Sequence, residues 1–201
     1  MTETIIDLIR HGEAEGGKKY RGYSVDDPLS DKGWSQMWGA VGQYSSWQCI
    51  VSSPMLRCKA FAEQLSQKLT IPYYIENDLE EVGFGDWEGK TVDQLKAENQ
   101  AEYYAFFLDP VNHRPKNAED LDVFSGRVVA AYKKLLEECE GKHCLVVTHA
   151  GVVRAIIAHL LDAPAASMYR IKVNNAGITR IRYDFKGAVL EFHQAELTPK
   201  N

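Results

Sequence analysis

The sequence predicts a single α/β domain in three layers, with a mostly parallel central sheet and helices on both faces. Two observations carry this. Short, near-continuous apolar runs such as Ile5-Ile6-Asp7-Leu8-Ile9 and Cys144-Leu145-Val146-Val147 alternate with amphipathic stretches of helical spacing. The chain has 201 residues, enough for one full core and short for two domains.

The elements follow in order. Thr4 to Ile9 reads as a strand and Arg10 to Pro28 as a long polar loop. Ser30 to Tyr44 reads as a helix with Ser30 as its N-cap. Cys49 to Val51 is a short buried strand, after which Pro54 suits the first position of a helix running to about Leu69. Ile71 to Ile75 is the next strand, and Glu80 to Gly89 an irregular, glycine-punctuated loop. Val92 to Phe107 is helical and ends before Asp109-Pro110. Asn112 to Asp120 is a second polar loop, and Val123 to Glu140 a helix. Cys144 to Val147 is a strand, Val152 to Leu161 a helix, and Tyr169 to Phe192 two strands around Gly187. One domain over 1–201 is expected, with a cap inserted at about 91–120.

Composition removes several function classes. Lys plus Arg is 23 and Asp plus Glu is 28, a net charge of −5. Such a chain has no general attraction to nucleic acid or anionic membrane, so any anion must meet a local basic cluster. No apolar run approaches the length of a bilayer span. The N-terminal stretch lacks the basic start of a secretion signal, and a cytoplasmic location is expected. Cys49, Cys58, Cys139 and Cys144 form no CxxC pair and read as reduced, small apolar residues. No metal or cofactor is expected. The oligomeric state stays open, a homodimer among the options.

Chemistry in an open α/β sheet gathers beyond the carboxyl ends of the strands. Arg10-His11-Gly12-Glu13 follows the first strand, Ser52-Ser53-Pro54-Met55-Leu56-Arg57 the second, and Thr148-His149-Ala150-Gly151 the late one, with Arg154 one turn on. Arg10, His11, Arg57 and His149 thus gather at one edge, which suits a phosphate. Neighbouring arginines keep an imidazole neutral and therefore nucleophilic. Glu80 and Glu81 are two candidate proton donors, since a carboxyl beside a phosphate dianion holds its proton at higher pH. Each residue alone also fits a turn or surface role. Other chemistries lack their signatures: there is no HExxH, Cys-x5-Arg loop, nucleophile elbow or GxxxxGK[ST].

Five blocks in order give the chain a family resemblance. They are Leu8-Ile9-Arg10-His11-Gly12-Glu13, Gly22 to Ser30, Ser52 to Cys58, Glu81-Val82-Gly83-Phe84-Gly85-Asp86-Trp87-Glu88-Gly89, and Val146 to Arg154. Together they resemble the histidine phosphatase superfamily, the phosphoglycerate-mutase-like enzymes. The resemblance implies His11 as nucleophile, Arg10, Arg57 and His149 as phosphoryl clamp, and Glu81 as proton donor, three residues before Phe84. It implies no metal, and a small-molecule phosphate ester as substrate. Length and the compact insertion resemble most the family members that remove the 5′-phosphate of α-ribazole 5′-phosphate in cobalamin synthesis. Broad-specificity phosphatases, mutase-type phosphotransfer and a non-catalytic phosphate-binding module are the alternatives.

The chain departs from the family pattern at Gly17 where Asn is common, at Ala150 after the second His, and in Pro115-Lys116-Asn117-Ala118-Glu119-Asp120, which lacks the usual two glycines and has Asp120 where Ser is usual. Arg21, Gly22, Tyr23, His113 and Arg114 are candidate substrate contacts. Tyr103, Tyr104, Phe106 and Phe107 either form helix core or stack on an aromatic base.

Overall fold

A computed structural model describes residues 3–197. Its strands are β1 (Thr4–Arg10), β2 (Cys49–Ser52), β3 (Tyr73–Ile75), β4 (His143–Thr148), β5 (Ile178–Asp184) and β6 (Gly187–Ala195). Its helices are α1 (Asp31–Val41), α2 (Leu56–Leu69), α3 (Val92–Leu108), α4 (Leu121–Glu138) and α5 (Ala150–Leu160). The sheet order is β3-β2-β4-β1-β5-β6. The first four of these are mutually parallel; β5 pairs antiparallel with β1, and β6 antiparallel with β5.

Strand residues alternate between two cores, as a period of two requires. Ile6, Leu8, Val51 and Val146 pack with α3, α4 and α5 on one face. Ile9, Ile50, Leu145 and Val147 pack with α1 and α2 on the other. The three-layer expectation therefore holds. Parallel order places the ends of β1, β2 and β4 side by side: Arg10 pairs with Thr148, and Ser52 with Val147.

Several boundaries differ from expectation, each for a local reason. Ser30 caps α1 as expected, accepting from Gly33 N, but α1 stops at Val41 because Gly42 leaves the helix at φ 51°. Pro54 lies outside α2, whose N-cap is Met55, so the chain stays extended past β2. β3 starts only after Pro72, which has no N–H to offer a neighbour. α3 is broken at Asn99, whose side chain accepts from Glu102 N at 3.1 Å and restarts the helix. α4 begins two residues early because Asp120 accepts from Asp122 N and Val123 N at 2.8 and 3.0 Å. Ala165–Arg170 is a 3₁₀ turn, and the loop 171–177 crosses the sheet edge before β5. There Ala176 N donates to Arg10 O at 3.0 Å.

One ionic cluster lies inside the sheet. Asp7, wholly buried on β1, accepts from Trp47 Nε1 (2.8 Å) and from Arg180 Nε and Nη2 (2.8 and 2.9 Å). His143 Nε2 stands 2.8 Å from the same carboxylate. Burial alone would raise the Asp7 carboxyl, but the hydrogen bonds from Arg180 and His143 outweigh it and hold it below the ordinary aspartate value. Its stabilisation is thus full above about pH 4 and falls away as pH drops through the lowered value. Asp7→Asn leaves Arg180 facing an uncharged partner and should cost about 3 kcal/mol. Urea unfolding of both proteins at pH 7 and pH 3 checks this, and the gap should narrow at the lower pH.

Candidate active site

The ends of β1, β2 and β4 meet a cleft with two adjoining lobes of about 190 and 180 Å³. Arg10, His11, Lys19, Tyr20 and Arg21 line both lobes. Gly17, Lys18 and Asn175 add to the first, and Arg57, Glu81, Phe84 and Arg154 to the second. A chain of net charge −5 thus concentrates five arginine and lysine side chains around one lobe. That field attracts anions and repels a metal ion.

His11 follows β1 where the backbone runs close over the first turn of α1. A Cβ on Gly12 would overlap the Gly33 carbonyl, so only glycine fits after the histidine. His11 Nδ1 lies 2.7 Å from Gly12 O. A carbonyl only accepts, so Nδ1 carries the proton and Nε2 keeps its lone pair. Burial, then the charges of Arg10 and Arg57, push the His11 pKa well below the usual imidazole range. The ring is therefore neutral at pH 7.

The two arginines are held mainly by carbonyls, and Arg57 Nη1 also stands 3.8 Å from Asp26 Oδ1. Arg10 Nη1 donates to Val173 O at 2.7 Å, while Arg57 donates to Val25 O and Gly22 O at 3.1 and 2.8 Å. Each keeps a buried Nε–H with no protein acceptor. An unsatisfied buried donor costs on the order of 1–3 kcal/mol, which an incoming oxyanion would recover. Burial lowers the Arg10 pKa to about 10, still far above neutrality.

His149 follows β4 directly as the N-cap of α5 and is wholly buried. Its ring meets His11 edge-on, with centroids 5.2 Å apart. Ser53 Oγ fixes it at 2.7 Å from Nε2, and Cys58 Sγ lies 3.6 Å from the same atom. Burial, then Arg57 and His11, push its pKa well below the usual range.

Glu81 reaches the cleft from the irregular loop. Its Oε1 accepts from Val82 N at 3.0 Å and from Gly151 N, in the first turn of α5, at 2.9 Å. A Cβ on Gly151 would overlap that oxygen. The loop itself is clamped from behind. Arg127 donates to the carbonyls of Asp78, Glu80 and Glu81 and grips Glu119 through Nε and Nη2. Glu119 accepts from Gly83 N, and Arg114 donates to Gly83 O and Tyr169 Oη. Gly151→Ala should therefore displace the Glu81 carboxylate while sparing the arginines. Turnover of a phosphomonoester is expected to fall about 10²-fold with inhibition by inorganic phosphate little changed, as steady-state kinetics would show.

The structure brings Arg10, His11, Arg57, Glu81, Arg21 and Gly22 to the cleft, with His149 directly behind His11. Arg21 is fixed there by Asp27 and by the Gly17 carbonyl, so the Gly17 position contributes backbone where the family often uses a side chain. Tyr23, His113 and Arg114 are not among the lining residues. Tyr23 is exposed over Gly83, His113 is exposed beside Asp109, and Arg114 braces the Glu81 loop. Asp120 caps α4. Tyr103 and Phe106 are core against Trp87, while Tyr104 and Phe107 face solvent. The aromatic wall is instead Tyr20 and Phe84, edge-on at 4.9 Å.

Lys19, Tyr20, Ser53, Arg127 and Asn175 received no role from the sequence. Ser53 had a signal in its place directly after a buried strand. Asn175 had one as a polar residue in an otherwise strand-like stretch; its Nδ2 donates to His11 O at 3.1 Å. Arg127 lies on a helix face, where a solvent-facing charge looks the same.

The model of the histidine phosphatase superfamily (branch 1) matches residues 6–196. The chain belongs to that family. Among superfamily relatives, adenosylcobalamin/alpha-ribazole phosphatase of Salmonella typhimurium is 31% identical over 170 residues, 83% of this chain and 84% of that one. The bifunctional protein Rv2228c of Mycobacterium tuberculosis is 28% identical over 191 residues. There the chain spans about half of the relative's length, 52%. Among solved superfamily structures, the alpha-ribazole phosphatase of Shigella flexneri superposes with a TM-score of 0.83 at 28% identity, covering 98% of this chain and 100% of that one.

Proposed function

We propose that this chain is a metal-independent phosphomonoesterase working through phosphohistidine at His11. The observation that carries the reading is a neutral His11 ring, its Nδ1 held by Gly12 O, standing between two arginines with unpaired Nε–H groups. In the first step Nε2 attacks phosphorus and the ester P–O bond breaks. Arg10 and Arg57 hold the non-bridging oxygens, while His149, fixed by Ser53, backs the His11 ring. Glu81 gives its proton to the departing alkoxide. In the second step Glu81 takes a proton from water as that water attacks phosphorus, and His11 leaves as a neutral imidazole. Positive side chains supply the charge that a metal would otherwise bring.

The preferred substrate is α-ribazole 5′-phosphate. The named relatives in Salmonella and Shigella favour it. So does the wall of Tyr20 and Phe84 beside the phosphate site, which offers apolar surface to a flat base. Residues 91–120 brace the Glu81 loop from outside and serve as a cap over it. Phosphate release in EDTA tests the assignment, with α-ribazole 5′-phosphate, an aryl phosphate and 3-phosphoglycerate compared. A kcat/KM for the ribazole ester at least about tenfold above the others is expected. Equal rates would favour a broad-specificity phosphatase, and isomerisation of the sugar acid without phosphate release a mutase.

A further inference from the structure

Three of the four cysteines meet at the opposite end of the sheet from the cleft. Cys49 opens β2, and its Cα partner on β4 is Cys144. Cys139 ends α4, and the turn through Gly141, closed by Lys142 N to Cys139 O at 2.9 Å, returns the chain to β4. All three side chains fall in the same core, under α4. Their sulfurs lie within 4.8 Å of one another, and Cys49 Sγ is 3.7 Å from Cys139 Sγ. No other such group of His, Cys, Asp or Glu occurs among the described residues.

We infer that Cys49, Cys139 and Cys144 form a three-sulfur site for a thiophilic d¹⁰ cation, zinc(II) or copper(I). The spacing fits that chemistry. Metal–sulfur bonds of about 2.3 Å in tetrahedral array put sulfurs about 3.8 Å apart, so the observed cluster needs only a small contraction. Sulfur-only donors select soft ions over magnesium or calcium. An entry path exists as well. Cys49 and Cys139 line a cleft of about 600 Å³ together with Gln48, Tyr74, Glu138 and Lys142. A zinc ion would complete four-coordination with water from that cleft, whereas copper(I) is satisfied by the three sulfurs.

Cys49 and Cys139 meet only weakly, sulfur to sulfur. Cys144 Sγ otherwise makes only a weak contact to Leu145 O at 3.6 Å. Binding forms three sulfur–metal bonds and releases the three thiol protons to solvent. The fourth cysteine, Cys58, packs on His149 and stays outside the site.

The test uses the full chain, reduced and freed of metal, then titrated with zinc(II) or, without oxygen, with copper(I). Native mass spectrometry should show one ion per chain, and X-ray absorption of the wild type a shell of sulfur at about 2.3 Å. Cys49→Ala, Cys139→Ala and Cys144→Ala should each weaken binding at least about tenfold, the loss that even an outer-shell change produces, with Cys58→Ala unchanged. The wild-type spectrum needs no variant to fold. Nitrogen or oxygen alone around the ion, uptake undiminished in the three variants, or closure of a Cys49–Cys139 disulfide in place of metal uptake would overturn the inference.

Discussion

His11→Ala should lower phosphate release by about 10⁴-fold or more, because the variant has no atom to form the first covalent bond. The expected loss rests on the ring's state as well as its place. His11 is the neutral imidazole with a free Nε2 in the cleft; His149 is buried behind it, with its own Nε2 engaged by Ser53. A second histidine therefore cannot substitute. The fold should survive, since removing a neutral ring leaves the Arg10 and Arg57 anchors to backbone carbonyls in place. Circular dichroism and undiminished binding of inorganic phosphate check that the loss is chemical. A variant that turned over at the wild-type rate would end the phosphohistidine account.

Glu81→Gln separates the second chemical role from binding. The amide oxygen can still accept from Val82 N and Gly151 N, so the loop should keep its shape. What the amide cannot do is give or take a proton. Turnover of an alkyl ester is expected to fall about 10²- to 10⁴-fold. An aryl phosphate with a good leaving group should lose much less in its first step, since its phenolate departs without help. The contrast shows as a burst of phenolate from the variant, followed by slow release of phosphate as water attacks without a base. Equal losses on both esters, with no burst, would give Glu81 a purely structural role.

The fold was legible wherever period and punctuation agreed. β1, β4 and α4 stood out because their apolar spacing has no rival reading. The site was legible for a related reason: Arg10, His11, Arg57 and His149 each directly follow a buried strand or open the helix after it. The misses share a different physics. For Tyr103 and Phe106 the sequence allowed helix core or base stacking, and Trp87 makes them core, a contact that only the tertiary fold decides. His113 and Arg114 are adjacent in sequence and diverge in space, one to solvent and one to the carbonyl of Gly83. Asp120 reads as a lost family contact and proves to be a helix cap. Arg127 holds three carbonyls of a loop 46 to 49 residues away, and backbone acceptors leave no trace in side-chain spacing. The cysteine cluster was hidden likewise, since parallel pairing of β2 and β4 joins residues 95 positions apart.

The most direct test of the central claim is to trap the intermediate. The wild type would be mixed with radiolabelled phosphate ester in EDTA, quenched in alkali to preserve phosphohistidine, and digested for mass spectrometry. The account predicts phosphate on the peptide carrying His11, formed faster than turnover and absent from His11→Ala. Full turnover with no labelled histidine, or label on His149 instead, would contradict it.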